Sequence, residues 1–400
     1  MLYGPSADSR GVSSVNFQYY LLESLRQARI FNPGVDFFVL TDDPDALALE
    51  RPGARWGELL AAPHLNATLV DVRALRDWEL IHIESRFRDV WGPLAHGLGS
   101  FMLPSLSGGT NWAFTVVTLT RLVYVHHWAR GARGGGVVVH VENDQMVYGH
   151  VDELVQGATA CNVDLAFGRV AAQRTAAAVL YASSAAALRP LVDFLWEALS
   201  HGAGHAAQVT GTQWVTDMSL TAAFVDASAA AGVTNVTLWP LTTAPSDCLS
   251  RSLSVVVDAA VLGTWCCGDM GRGRDLFAIK SEFSDFPLWD WTLEWTLLAS
   301  PGALPPYEDA DFVRESAHEV EAGAQWIVTD GPEWDAPRAL AARAARGGRD
   351  PLLRVPVWNG TRVWNLHIHS KMLHWWRSDD VGVEALWKNP AVAGECGEMC

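Results

Sequence analysis

A short apolar run, Val137-Val138-Val139-His140-Val141, ends on Glu142-Asn143-Asp144, so two carboxylates and an amide stand at the end of a β-branched stretch. Residues two apart on an extended backbone share a face, and Glu142 and Asp144 can therefore aim at one point. Clustered carboxylates repel unless a cation sits between them, and hard oxygen donors suit Mg2+ or Mn2+. The same three residues also suit an ordinary turn after a strand. A second polar grouping lies near the C-terminus, in Trp364-Asn365-Leu366-His367-Ile368-His369-Ser370-Lys371. If that piece is extended, His367, His369 and Lys371 project from one face. One imidazole would then complete a divalent-metal set with Glu142 and Asp144, while Lys371 would neutralise a diphosphate. A polar strand edge is the plainer alternative. An H-x-H pair also marks the first strand of metal-dependent hydrolase barrels, but there it comes early, and here it comes last.

The elements that must hold these groups follow from periodicity. The run 137–141 follows the Gly134-Gly135-Gly136 breaker and is too short for a helix, so it is expected as a central parallel strand whose carboxyl end faces a ligand crevice. Apolar side chains at Phe17, Tyr20, Leu21, Leu25, Ala28 and Phe31 predict a helix over 15–31, which Asn32-Pro33-Gly34 stops. A buried strand over 35–40 follows and ends in a second acidic loop at Asp42 and Asp43. Further expectations are a strand at 65–70, a helix over 72–91, a mobile Gly/Pro/Ser-rich loop over 92–109 and a helix over 111–130. His126 and His127 near the end of that last helix read as caps of its dipole, and His140 as a satisfied core residue.

Beyond the motif the alternation continues. A helix is expected at 150–156, strands at 163–168 and 177–181, and a helix over 185–199 that Pro190 kinks or delays. Asp217 opens an apolar helix and reads first as its cap, second as an acceptor-side carboxylate. Strands at 238–242 and 252–257 lead to Asp258 and a loop with Gly271-Arg272-Gly273-Arg274, which lacks the flanking strand and helix of a dinucleotide loop. Trp289, Trp291 and Trp295 suit either a buried flap or stacking on sugar rings. Residues 283–350 read as a peripheral insertion with a surface helix at 337–346.

Four hundred residues, 49% of them hydrophobic and 18% charged, describe a globular chain with a sizeable core. Its net charge of -16 repels a polyphosphate backbone, which argues against nucleic acid as a partner. An anionic nucleotide would need a metal ion and a few placed Lys or Arg side chains. The six cysteines lack the paired C-x-x-C spacing of structural zinc. Three N-x-S/T sequons, at Asn66, Asn235 and Asn359, suit a secretory-pathway protein. No signal peptide or membrane segment is legible, so the expected place is the Golgi or secretory lumen if an N-terminal anchor is missing, and the cytoplasm otherwise.

Taken together, residues 25–43, 117–148, 257–268 and 364–371 resemble nucleotide-sugar-dependent glycosyltransferases of the GT-A fold, in particular the branch with an H-x-E-N-D strand end and a terminal N-L-H-I-H-S-K. The resemblance implies an α/β fold with a Rossmann-like mixed sheet flanked by helices. It would form one catalytic domain over 1–376, with a nucleotide-binding half to about 150, an acceptor-side half over 151–376 and a tail over 377–400. It implies that Glu142 and Asp144, with Glu142 in place of the usual first Asp, bind Mn2+ or Mg2+ carrying the donor diphosphate. Asn143 lies inside the same motif. His369 or His367 matches a metal-binding His, Lys371 a phosphate-binding Lys, and Asp42 and Asp43 the nucleoside contact. The implied reaction moves a sugar from a nucleoside diphosphate sugar to a hydroxyl of a glycan, protein or lipid. An inverting enzyme needs a base, for which Asp217 and Asp258 are the candidates. A non-catalytic carbohydrate-binding protein and a sugar nucleotidyltransferase are the alternatives on the same fold.

Overall fold

The computed structural model describes residues 15–41, 56–62, 65–98, 111–132, 136–171, 174–212, 215–232, 234–240, 248–262, 293–299, 352–358 and 361–367. These form a mixed α/β arrangement of helices and mixed sheets, with no closed barrel among them. Asp42, Asp43, His369, Lys371, the Gly271–Arg274 loop, Asn359, the helix at 337–346 and the tail over 377–400 lie outside the described residues.

The N-terminal layer follows the periodicity closely. Helix α1 (Val15–Phe31) ends at Asn32, β1 (Phe37–Thr41) pairs in parallel with β2 (Ala67–Asp71), and α2 (Trp56–Leu60) lies between them in sequence. Leu21, Leu25, Val39, Leu60 and Leu65 form its core. The helix expected over 72–91 is split. Residues Val72–Leu75 make a 3-10 turn, and α3 (Trp78–Leu98) restarts where the Asp77 carboxylate accepts from the Leu80 N–H at 3.1 Å. The helix then continues through 92–98, the first part of the expected loop. Helix α4 (Asn111–Ala132) packs along it.

The run before the acidic turn is not a central parallel strand. Strand β3 (Val138–Val141) is the edge of a four-stranded sheet in the order β3-β6-β5-β7, antiparallel to β6 (Arg174–Ala182). The next strand inward, β5 (Leu165–Ala171), pairs antiparallel to β6 and in parallel with β7 (Val236–Leu238). Leu180 and Ala182 face the core under α3, α4, α6 (Arg189–Ser200) and α8 (Asp217–Ala231), while Val179 and Tyr181 face the opposite core. Burial on both faces is why β6 reads as a continuous apolar run without alternation. Each large aliphatic side chain buried there contributes about 1.5–3 kcal/mol. Pro190 stands in the first turn of α6, so the helix starts late and is not kinked.

A second sheet receives the acidic turn. Strand β4 (Gln145–Val147) pairs antiparallel with β11 (Thr361–His367), which pairs in parallel with β8 (Val255–Val257) and antiparallel with β10 (Leu352–Trp358). Strand β9 (Leu293–Ala299), inside the expected peripheral insertion, pairs along the whole of β10. Trp295 therefore belongs to a sheet strand. Helices α5 (Val151–Ala160), α7 (Ala203–Thr210) and α9 (Cys248–Ser252) and a 3-10 turn at Ala186–Leu188 complete the described elements, and a disulfide joins Cys161 after α5 to Cys248 in α9.

Candidate functional site

Residues 142–144 cross from the end of β3 in one sheet to the start of β4 in the other, so the acidic turn sits where the two sheets meet. Its backbone is held at both ends. The Glu142 N–H donates to the Ala178 carbonyl at 2.9 Å, and Ser24 Oγ and Gln27 Nε2 of α1 donate to the carbonyls of Gln145 and Val147 at 2.6 and 3.1 Å. Strand β11 comes close because residue 149 is glycine. A Cβ at Gly149 would run into the buried indole of Trp364, whose Nε1 donates to the His150 carbonyl at 3.0 Å. Asn365 then ties three pieces together, donating to the Asp258 carbonyl at 2.7 Å and to Gln145 Oε1, and accepting from the Asp258 N–H at 3.0 Å.

This scaffold delivers His367 to the acidic turn. Its Nε2 lies 3.0 Å from Asp144 Oδ2 and 3.4 Å from Glu142 Oε2, and the ligand atoms of the three residues all lie within 4.8 Å of one another. The opposite ring nitrogen, Nδ1, is 2.7 Å from the Ala259 carbonyl, which as an acceptor-only partner fixes the Nδ1–H tautomer of the neutral ring. Nε2 then presents its lone pair toward two carboxylates. A lone pair facing two anions calls for a proton or a cation between them, and an imidazole oriented through its other nitrogen is the arrangement found at metal-ligating histidines.

Asp258, a candidate base from the sequence, is placed differently. It is fully buried; Oδ1 accepts the N–H groups of Ala260 and Leu262 at 3.0 and 2.9 Å, and Oδ2 accepts the His367 N–H at 3.0 Å. A carboxylate so enclosed by backbone donors is a cap that anchors β11, not a base within reach of a substrate hydroxyl. Close packing reinforces it, since a Cβ at Gly168 would run into Ala259. Asp217 also departs from its first reading. Thr216 is the cap of α8, in a reciprocal box with Ser219, and this leaves the Asp217 carboxylate in the first helical turn, 3.1 Å from Arg121 Nη2. Asn143 occupies the turn, half-buried, between the two carboxylates.

Arg121 is the residue that sequence reading missed. From the middle of α4 its guanidinium also contacts Glu142 Oε1, so one cation links the acidic turn to Asp217. The available signal was an Arg on the face of an otherwise apolar helix that feeds directly into β3. His140, one turn of the pleat before Glu142, is buried as expected but neither ring nitrogen has a hydrogen-bond partner, and burial above all holds its pKa well below the ordinary imidazole range.

Among the described residues, two other groups bring histidine and carboxylates together. His127 of α4 lies between Asp77 Oδ2 at 3.2 Å and Glu79 Oε2 at 3.3 Å, and Arg189 closes on Glu79 with contacts of 2.7 and 3.1 Å. His127 thus ties α4 to the start of α3 and is more than a dipole cap, while Arg189 brings in α6 through Glu79. Glu197, His201 and His205 form an exposed group at the α6–α7 junction. No helix among the described residues is long and apolar enough to cross a membrane. Comparison with known proteins finds no matching family model, no matching curated protein and no matching solved structure.

Proposed function

We propose that this chain is a metal-dependent glycosyltransferase with a GT-A-like fold, moving a sugar from a nucleoside diphosphate sugar to an acceptor hydroxyl of a glycan, protein or lipid. The observation that carries the reading is the convergence of Glu142, Asp144 and the Nε2 of His367 from two distant parts of the chain. Two carboxylate oxygens and one oriented imidazole form a donor set suited to Mn2+ or Mg2+. When bound, such an ion supplies positive charge to the leaving diphosphate as negative charge builds on it.

The protein's own groups have separable tasks in this reading. The Ala259 carbonyl and the Asp258 cap hold His367 in position. Arg121 restrains Glu142 from the opposite side and holds the Asp217 carboxylate next to the cluster. If the anomer is inverted, Asp217 is the carboxylate that would take the acceptor proton. Asn143, Asp42, Asp43, His369 and Lys371 remain the proposed contacts to donor and metal that the resemblance implies.

Incubation with a panel of nucleoside diphosphate sugars, with Mn2+ and with EDTA, tests the reading. Metal-dependent release of nucleoside diphosphate that disappears in Asp144→Ala is expected. Sugar binding that persists in EDTA with no donor consumed would point to a carbohydrate-binding protein, and pyrophosphate release from a nucleoside triphosphate plus sugar phosphate to a nucleotidyltransferase.

A further inference from the structure

The three sequons are exposed to the same chemistry in sequence, and two of them, Asn66-Ala67-Thr68 and Asn235-Val236-Thr237, lie among the described residues. Both asparagines are exposed, so exposure does not separate them. Their hydrogen bonds do. Asn235 Nδ2 donates to the carbonyls of Asn162 and Cys161 at 2.7 and 3.3 Å, while the Asn235 backbone N–H donates to Asp164 Oδ2 at 3.0 Å. Both hydrogens of that amide are therefore committed to clamping the start of β7 onto the loop before β5. A sugar on Nδ2 would replace one of them and point the ring at a carbonyl.

At Asn66, among the described residues, only the backbone is committed. Its N–H donates to the Ala62 carbonyl at 2.7 Å, and its own carbonyl accepts from Arg29 Nη2 at 3.1 Å. The residue has φ 46°, a left-handed conformation that asparagine adopts more readily than most side chains. A backbone pinned from both sides in that conformation carries an exposed side chain at the entrance to β2, where Thr68 is also exposed. A second observation points to the compartment in which such modification occurs. Cys161 and Cys248 form a disulfide with Cα atoms 5.8 Å apart, and structural disulfides persist in oxidising compartments.

We propose that the chain matures in the lumen of a secretory compartment, where Asn66 carries an N-linked glycan and Asn235 does not. Attachment forms a bond from Asn66 Nδ2 to the anomeric carbon of a lipid-linked diphospho-oligosaccharide. The bond from that carbon to phosphate breaks, the lipid diphosphate leaves with the electron pair, and Nδ2 loses a proton. Closure of Cys161 and Cys248 passes two electrons and two protons to a disulfide-donating oxidant of that compartment. The inference stands apart from the proposed glycosyl transfer, and neither depends on the other.

The test routes the full chain into the secretory lumen of cultured eukaryotic cells behind an added leader and analyses the folded monomer. Peptide mass spectrometry after enzymatic deglycosylation in heavy-oxygen water reads each asparagine separately. Asn66 is expected as labelled aspartate, Asn235 as unmodified amide, and the Cys161 and Cys248 peptides as a joined pair under non-reducing conditions. Thr68→Ala should abolish the label at Asn66 with little change in melting temperature, whereas Asn235→Asp should lower it by removing both amide donors. Recovery of Asn66 unmodified, a labelled Asn235 in the folded fraction, or free thiols at both cysteines would overturn the proposal.

Discussion

The acidic turn with His367 and the helix junction around His127 contain the same ingredients, one imidazole against two carboxylates, and an arginine touches each. They differ in what the imidazole does with its two nitrogens. His127 spends both on carboxylates, and Arg189 meets Glu79 with a two-armed contact, so the cluster closes on itself across α3, α4 and α6. His367 spends Nδ1 on a backbone carbonyl and turns only Nε2 toward Glu142 and Asp144. The comparison teaches that a count of ligand-type residues does not distinguish a clasp from a binding site. The orientation of the ring, set by the group behind it, does.

The largest expected effect is on the clasp. Glu79→Ala leaves a buried imidazole and a guanidinium without their shared carboxylate and should cost about 3 kcal/mol in urea unfolding, since losing one partner of a buried pair strands the other. Its response to Mn2+ should be that of the parent. If Glu79→Ala removed the metal response, the two clusters would have to exchange roles.

At the acidic turn the order is reversed. A hundredfold excess of Mn2+ over its Kd should stabilise the parent by about 2.7 kcal/mol, and Asp144→Ala should show none of that gain in thermal or urea unfolding. A gain of the same size in the variant would remove the metal role from Asp144.

Next comes Gly149→Ala, which sharpens the claim that close approach of β11 builds the site. The added methyl must displace the fully buried Trp364 and should cost about 2 kcal/mol, with weaker Mn2+ binding as His367 moves with its strand. Unchanged Mn2+ affinity at lowered stability would separate the packing of Trp364 from the placement of His367.

The most gradual effect is on pH dependence near the clasp. Burial lowers the pKa of His126 from 6.5 to about 4. Between those values the unfolded chain binds a proton that the folded chain refuses, so stability should fall as pH drops from about 6.5 toward 4. His126→Gln should flatten that part of the profile in urea titrations at stepped pH. A profile identical to the parent would show that other groups govern the acid limb.

By itself, the sequence determined the α/β alternation, the helix over 15–31 and its stop, and a disturbance of the helix over 185–199 at Pro190, and it offered Glu142, Asp144 and a C-terminal histidine as one candidate set. These are local matters, settled by periodicity, by the fixed φ of proline and by the chemistry of oxygen and nitrogen donors. Only the tertiary structure decided that β3 pairs antiparallel at the edge of its described sheet, because a short β-branched run does not specify which strand it pairs with or in which direction. It also decided that Asp258 is enclosed by backbone N–H groups, that Thr216 and not Asp217 caps α8, and that Arg121 reaches across to Glu142. The distant contacts could not be read from spacing, because a carboxylate's role follows from which donors surround it in space, and His367 and Arg121 reach Asp258, Asp217 and Glu142 from far away in the chain.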